Sequence, residues 1–397
     1  MKTHTPEQQL DQLLDEDVEH ARFRAATAYD LAAADLGDKI ILFGAGGCGR
    51  MVLRRLRGLK IHPIAFTDNS PSLWGRTVDG LHVFSPQEAA SKYARQATFL
   101  VCIWGHAAHD RMADRIGQLR MLGCVATVPF GFLFWKYHET TLPYFCLDSP
   151  HKVLAQKNPI RAAMQLWSDD FSREEYVAQV GFRASMDFAL VNRTVSRTHY
   201  FPPDLISLRK DEVFVDCGAF DGDTIADFVQ ETAGLFHRVV AFEPDPLTYL
   251  KLQERVREME PEIREKIELR QEATGRKPEL STIEATGTMM SAVGSGSSVI
   301  QVNDLDSALA SIDPSYIKFD IEGFEPEALM GASHLLARTR PILALSIYHQ
   351  QDHLWKIPLL LASLLGGGYH FFLRPHGAEA WDLVCYAIPA ERLVRST

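Results

Sequence analysis

Apolar positions along the chain follow two rhythms. Leu10, Leu13, Leu14, Val18, Ala21 and Ala25 recur at helical spacing across residues 5–35. They predict an amphipathic arm that packs on a domain or on a partner subunit. "KIILFGAGGCG" then predicts a buried strand entering a glycine turn, with "RMVLRRLRGL" as the helix behind it. "HPIAFTDNS", "ATFLVCIWG" and "CVATVP" read as further strands, the last two separated by the helical stretch "DRMADRIGQLRMLG". Strands and helices alternating at this length predict a parallel sheet with helices on its faces, closing near residue 130.

Beyond it, "FGFLFWKYHETTLPYFCLDSPHKV" (130–153) is aromatic and interrupted by proline, and reads as irregular chain packed between domains. Residues 156–195 read as helical, and "HYFPPDLISL" leads into a second α/β unit. Its expected strands are "EVFVDCG", "RVVAFEP", "KIELRQE", "YIKFDIEG", "PILALSIYH", "HFFLRP" and "WDLVCYAIP", the last two forming an antiparallel hairpin. "SAVGSGSSV" (291–299) reads as a Gly/Ser loop. The expected fold class is therefore α/β, with two Rossmann-like three-layer α/β/α domains. The expected divisions are a helical arm over 1–36, a nucleotide-binding domain over 37–130, a connecting helical segment over 131–200 and the second domain over 201–397.

Composition narrows the chemistry. The chain has 397 residues and is 46% hydrophobic, enough for two cores. Its formal net charge is -10 and its pI about 5.8, with no Lys/Arg-dense stripe, so nucleic acid is not an expected partner. Six cysteines occur without a CxxC pair and mostly inside apolar runs, which predicts buried reduced thiols and no zinc site. The polar N-terminus lacks a signal-peptide core, and no segment has the length and apolarity of a membrane span. A cytoplasmic protein without a membrane partner is expected.

The glycine turn of the second unit, "VFVDCGAFDGDT", carries the more specific chemistry. Asp216 closes a strand, and Gly218 and Gly222 leave room for close backbone approach. Asp223 and Thr224 can cap the next helix. Glu243 ends the following strand, where an acceptor suits the hydroxyls of a ribose. Acids at 216, 221 and 223 would repel a phosphate, but they suit a ligand bearing an ammonium, a sulfonium and a ribose. "YIKFDIEGFEPEALMGA" adds Asp320 and Glu322 at the carboxyl end of a strand, the ligand-binding edge of an open sheet. A parallel sheet ending in a hairpin is also the layout of the common methyltransferase architecture.

Five ordered blocks, "VFVDCGAFDGDT", "VVAFEPDP", "VNDLDSAL", "IKFDIEGFEPEALMGA" and "LALSIYHQQDHLWKIPLLL", resemble the FkbM family of methyltransferases across about residues 165–390. The resemblance implies a class I methyltransferase sheet, S-adenosylmethionine as cofactor, and transfer to a hydroxyl, often on a sugar or natural product. It puts Asp216, Gly218, Gly222 and Glu243, and with them Thr224 and Asp306, with the donor. Asp320, Glu322 and His349 are then the candidate catalytic residues. His349 is a candidate base if tuned near neutrality, with Asp320 as base or orienting partner. Asp306, Asp320, Glu322 and His349 could together hold a divalent ion, but their spacing is not diagnostic, and no metal is expected.

The first glycine turn fits G-x-G-x-x-G through Gly44, Gly46 and Gly49, with Asp68 as the distal acid. Residues 38–90 also resemble nucleotide-sugar-binding domains of some sugar acyltransferases. His106 and His109 follow without a visible carboxylate partner. Three roles stay open for this region: a nucleotide-sugar site, an assembly domain, or a live NAD site. The expected activity is S-adenosylmethionine-dependent O-methylation of a small-molecule or saccharide acceptor. The rivals are an NAD-dependent oxidoreductase or epimerase using the first turn, and a non-catalytic nucleotide-sugar sensor. A homo-oligomer stays open through the helical arm.

Overall fold

Ile40, Ile41, Leu42 and Phe43 have no polar side chain to satisfy, and all four are buried in β1 (Ile40–Phe43) at the centre of the first sheet. In this computed structural model, which describes residues 4–33, 36, 39–105, 111–195, 198–285 and 296–394, β1 is followed by β2 (Ala65–Thr67), β3 (Thr77–Val78), β4 (Leu81–Phe84), β5 (Thr98–Val101) and β6 (Thr127–Pro129). The strand order is β3-β4-β2-β1-β5-β6, parallel except where β3 pairs with β4. That β3–β4 hairpin went unpredicted because its strands are short and mostly exposed, so they lack an apolar run. Asp79 and Gly80, both at positive φ, make its turn. His106 and His109 lie outside the described residues.

The second sheet begins with β7 (Val213–Cys217), β8 (Arg238–Phe242) and β9 (Ile267–Arg270). An additional small sheet follows, from β10 (Ala273–Thr274), β11 (Glu279–Ile283) and β12 (Ser298–Asn303), in the order β10-β12-β11. The chain then returns to the large sheet through β13 (Tyr316–Phe319), β14 (Ile342–Ser346), β15 (Tyr369–Pro375) and β16 (Leu383–Pro389). The large sheet runs β15-β16-β14-β13-β7-β8-β9, with only β16 and its neighbours antiparallel. All seven strands are those read from the sequence, including the closing hairpin. Alternation along β7 sends Val215 and Cys217 into one apolar cluster and Phe214 into another, so both sheet faces are covered. The small sheet went unread in the sequence. β11 and β12 lack a clean alternation of polar and apolar residues and cover a four-residue core, so no strand pattern stands out. Only the tail of "SAVGSGSSV" is described, and its Ser298 and Val299 begin β12. Its remaining residues up to 295 lie outside the described set.

Between the sheets, residues 130–153 are not irregular, as proline and aromatics suggested. They hold the helices Phe130–Lys136, His138–Thr141 and Pro150–Leu154. Phe130, Leu133, Phe134 and Trp135 join the core of the first sheet, which also takes in Phe182, Phe188 and Ala380. The N-terminal arm packs on its own chain: Leu10, Leu14 and Ala21 enter the core of the second sheet, while Ala25, Tyr29 and Ala33 enter that of the first. Its first helix, Pro6–Leu14, opens with a Thr5/Gln8 capping box. All six cysteines are free. Among the described residues no helix is long and apolar enough to cross a membrane.

The first glycine turn is closed on itself. A Cβ on Gly49 would stand 1.8 Å from the Gly44 carbonyl oxygen, whereas one on Gly46 would meet nothing within 4 Å. Gly49→Ala is therefore expected to destabilise the protein by about 1–3 kcal/mol, as overpacking against a fixed backbone does. Gly46→Ala should be close to neutral. Chemical denaturation of both variants checks the contrast.

Candidate active site

Two strand ends and one glycine turn build the site. β7 and β13 lie side by side with Lys318 in register with Asp216. Both side chains are almost fully buried, 2% and 0% exposed, and their charges meet at 2.8 Å. Lys318 also donates to the Gly218 carbonyl at 2.7 Å and lies over the Tyr200 ring. Burial pushes Asp216 up to about 6 against the pull of Lys318. Burial also opposes the charge on Lys318, but Asp216 and Asp320 outweigh it and hold its pKa above the ordinary value. The ammonium thus pins the turn from below. Above, Gly218 at φ +83 passes so close to β13 that a Cβ would stand 1.9 Å from the Asp320 carbonyl oxygen. Only glycine fits there.

Past β13 the chain turns through Glu322, at φ +55, and Gly323, at φ +105. Here a chain of titratable groups is assembled. Tyr200 donates its hydroxyl to Asp320 Oδ2 at 2.7 Å and contacts Ser346 Oγ at 3.1 Å. His349 lies between carboxylates: Nδ1 is 2.7 Å from Glu325 Oε1, and Nε2 is 3.2 Å from Asp320 Oδ1 and 3.9 Å from Glu322 Oε2. Glu325 is itself fixed by the Ile321 N–H at 3.0 Å.

These contacts sort the groups by charge. Burial disfavours an imidazolium at His349, but Glu325 and Asp320 outweigh it and hold the ring's pKa well above that of a free histidine. Burial likewise opposes ionisation of Asp320, yet His349, Lys318 and the Tyr200 hydroxyl keep it well below the usual carboxylate range. Glu322 goes the other way. Burial, aided by Asp320 and Glu325 and opposed by His349, pushes it up to about 7. The flanking anions thus favour the charged form of His349, the candidate base by sequence, and Glu322 is the carboxyl raised to about 7. Asp320, Glu325 and His349 each offer one ligand atom within 4.8 Å of the others. His349 Nδ1 is hydrogen-bonded to Glu325, while Nε2 faces Asp320 as an ion-pair contact.

A cavity of about 620 Å³ opens in front of these groups. Of the residues read from sequence as donor-binding, Gly218, Thr224 and Glu243 line it. Glu243 accepts the Phe220 N–H and the Asp245 N–H at 2.9 Å each, and burial raises it to about 7. Asp216 does not line the cavity, because it lies beneath the turn. Gly222 is the positive-φ residue that starts the helix Asp223–Glu231. Asp306 is elsewhere: it accepts the His334 and Leu335 N–H groups and caps the helix Ser333–Thr339. Asp221 is held by Arg255 at 2.8 Å. Asp320 and Glu322 line the cavity, and His349 lies behind them.

The first glycine turn reaches the same cavity. Gly47, Cys48, Arg50 and Arg54 form part of its wall. Gly44, Gly46, Gly49 and Asp68 do not. Asp68 spends its carboxylate on the Ala45 N–H at 2.7 Å and the Ser70 N–H at 2.8 Å. Sequence reading missed Glu325 and Ser346, whose roles depend on side chains from distant segments.

Removing Lys318 would leave Asp216 as a buried, unpaired charge. Lys318→Met is expected to cost about 3–5 kcal/mol. Adding Asp216→Asn should recover a large part of that loss. Denaturation of the single and double variants measures the coupling.

Residues 216–374 match the family model described as the methyltransferase FkbM domain. Among solved structures, methyltransferase FkbM from Methylobacillus flagellatus KT aligns with a TM-score of 0.73 at 22% identity, covering 93% of this chain and 99% of that one. A precorrin-6y C5,15-methyltransferase from Geobacter metallireducens GS-15 aligns at 14% identity over 46% of this chain and 81% of that one, with a TM-score of 0.28, too low to carry an argument. No curated protein matches the chain. The sheet order, the pinned glycine turn and the matched stretch coincide, and the chain carries a methyltransferase FkbM domain.

Proposed function

We propose that this protein is an S-adenosylmethionine-dependent methyltransferase acting on a hydroxyl of a small-molecule or saccharide acceptor. The observation that carries this reading is the placement of Gly218, Glu243, Asp320 and Glu322 around one cavity, inside the stretch that matches the methyltransferase model. The donor set fits the proposed cofactor. Glu243 has lone pairs beyond those that receive its two backbone N–H groups, and these suit ribose hydroxyls. Asp223 and Asp227 add an acidic wall suited to an ammonium and a sulfonium. A smaller recess of about 50 Å³, lined by Glu243, Pro244, Glu272 and Thr274 among others, adjoins Gly218 and suits the adenine end.

When bound, S-adenosylmethionine supplies an electrophilic methyl group. The chain's own residues have two tasks: to align an acceptor oxygen and to remove its proton. An alcohol is a weak nucleophile until deprotonated, and the best-matched base is a group whose pKa lies near the working pH. Glu322 meets that condition. Asp320 remains anionic and is suited to accept a hydrogen bond from the acceptor hydroxyl. His349, Tyr200 and Lys318 hold it in that state. Two adjacent carboxyl groups thus have their pKa values pushed apart, the arrangement that divides roles between a base and a permanent anion.

Calorimetry on the wild type is expected to give S-adenosylmethionine binding that is lost in Glu243→Ala and kept in Asp68→Ala. Binding of NAD without S-adenosylmethionine would overturn the reading. At saturating donor, kcat/KM for the acceptor should rise with pH and level off above about pH 7 as Glu322 loses its proton. Glu322→Gln should lower it by about 10²–10⁴-fold and abolish that limb. A full-strength limb in Glu322→Gln would reassign the base.

A further inference from the structure

We infer that the half of the cavity built by the first sheet is the acceptor subsite, and that it selects a ring-shaped acceptor carrying an anionic group. This rests on the methyltransferase reading of the same cavity. It gives a task to the first α/β unit, whose Gly44, Gly46, Gly49 and Asp68 lie off this cavity.

Five of the carboxylates lining the cavity, Asp223, Asp227, Glu243, Asp320 and Glu322, come from the second sheet's side, where a cationic donor is expected. Lys318 stands among them with its charge paired to Asp216, and Asp382 comes from the turn between β15 and β16. Two guanidinium groups, Arg50 and Arg54, stand on the first sheet's side. They lie four residues apart on the helix Gly47–Gly58 and so share one helical face. Arg50 is held through Nε and Nη2 by Asp79, at 3.0 Å each, and its side chain is half exposed. A surface pair of this kind contributes little to stability. It does orient the guanidinium, and the N–H groups of Nη1 with the second one of Nη2 are left to donate to a phosphate or carboxylate.

The cavity also has an aromatic lining drawn from three separate segments. Trp104 follows β5, Tyr144 and Phe145 come from the connecting segment, and Trp381 from the turn between β15 and β16. Trp104 and Phe145 each lie 4.8 Å, centroid to centroid, from Trp381. The wall is fastened across the two units by the Trp104 indole N–H, which donates to the Glu379 carbonyl at 3.0 Å, and by the Glu379 carboxylate, which accepts the Met112 N–H at 2.6 Å. A pocket with apolar ring walls and a few placed charges fits a ring whose face lies on the aromatics and whose anion reaches the arginines.

The test uses full-length protein and three probes: glucose 1-phosphate, glucuronate and glucose. Calorimetry on the wild type in the presence of S-adenosylmethionine is expected to show the anionic probes binding at least about tenfold more tightly than glucose. Binding of both anions supports general anion selection, and binding of glucose 1-phosphate alone narrows it to a phosphoryl group. The double variant Arg50→Gln/Arg54→Gln should lose the preference while keeping the wild-type melting temperature and S-adenosylmethionine affinity. Equal binding of charged and neutral probes, no binding of any of them, or an unchanged preference in the double variant would overturn the subsite. If the wild type prefers the anion but binds no S-adenosylmethionine, the donor reading fails and the subsite stands. If donor binding depends on Glu243 while the arginine variant changes nothing, the subsite fails alone.

Discussion

A single ammonium group organises the catalytic half of this protein. Lys318 is buried in the middle of the large sheet, where an unpaired charge would be prohibitively costly, so its contacts are constrained. Strand register puts Asp216 directly opposite it, and the remaining donor capacity goes to the Gly218 carbonyl. That contact fixes the turn whose backbone touches the Asp320 carbonyl. A buried ion pair of this type is weak evidence for stability, since an apolar replacement of both partners can be as stable. What it gives here is position. The turn, the start of the next helix and the end of β13 are held relative to one another, and all face the cavity.

The carboxylates at the end of β13 show how one short segment acquires two opposite electrostatic roles. Asp320 and Glu322 are two residues apart and both line the cavity. Asp320 is surrounded by a cation on each side and a tyrosine hydroxyl. Glu322 sits 3.9 Å from His349, whose charge is already shared by Glu325 and Asp320, and burial dominates its ionisation. Local environment, and not residue type, divides the labour.

The two α/β units meet through more than a linker. The hairpin turn between β15 and β16 carries Glu379, Ala380 and Asp382 at positive φ, a costly conformation for residues other than glycine. It is secured by the contacts of Glu379 with the first sheet, and it brings Trp381 to the cavity wall. The first glycine turn is then the other side of one chamber. The two turns differ in what they bring to it: Gly218 of the second lines the cavity, whereas Gly44, Gly46 and Gly49 of the first lie off it and lead into a helix whose Arg50 and Arg54 line the same space.

Periodicity and glycine spacing determined the seven strands of the large sheet, its terminal hairpin, the central strands of the first sheet and the acidic turn with Glu243. Each of these depends on local patterns of apolar residues, or on residues within one strand–turn–helix unit. The small sheet of β10 to β12 was not legible, because its strands are half-exposed and cover only a small core. Tertiary structure alone decided that Asp306 caps a helix, that Asp68 bonds to its own turn, that His349 lies between Glu325 and Asp320 and that burial raises Glu322. Those outcomes depend on distances between groups far apart in sequence: Tyr200 to Asp320, Glu325 to His349, Trp104 to Glu379. A one-dimensional pattern records which groups can ionise, but packing sets the burial and the neighbours that decide whether they do.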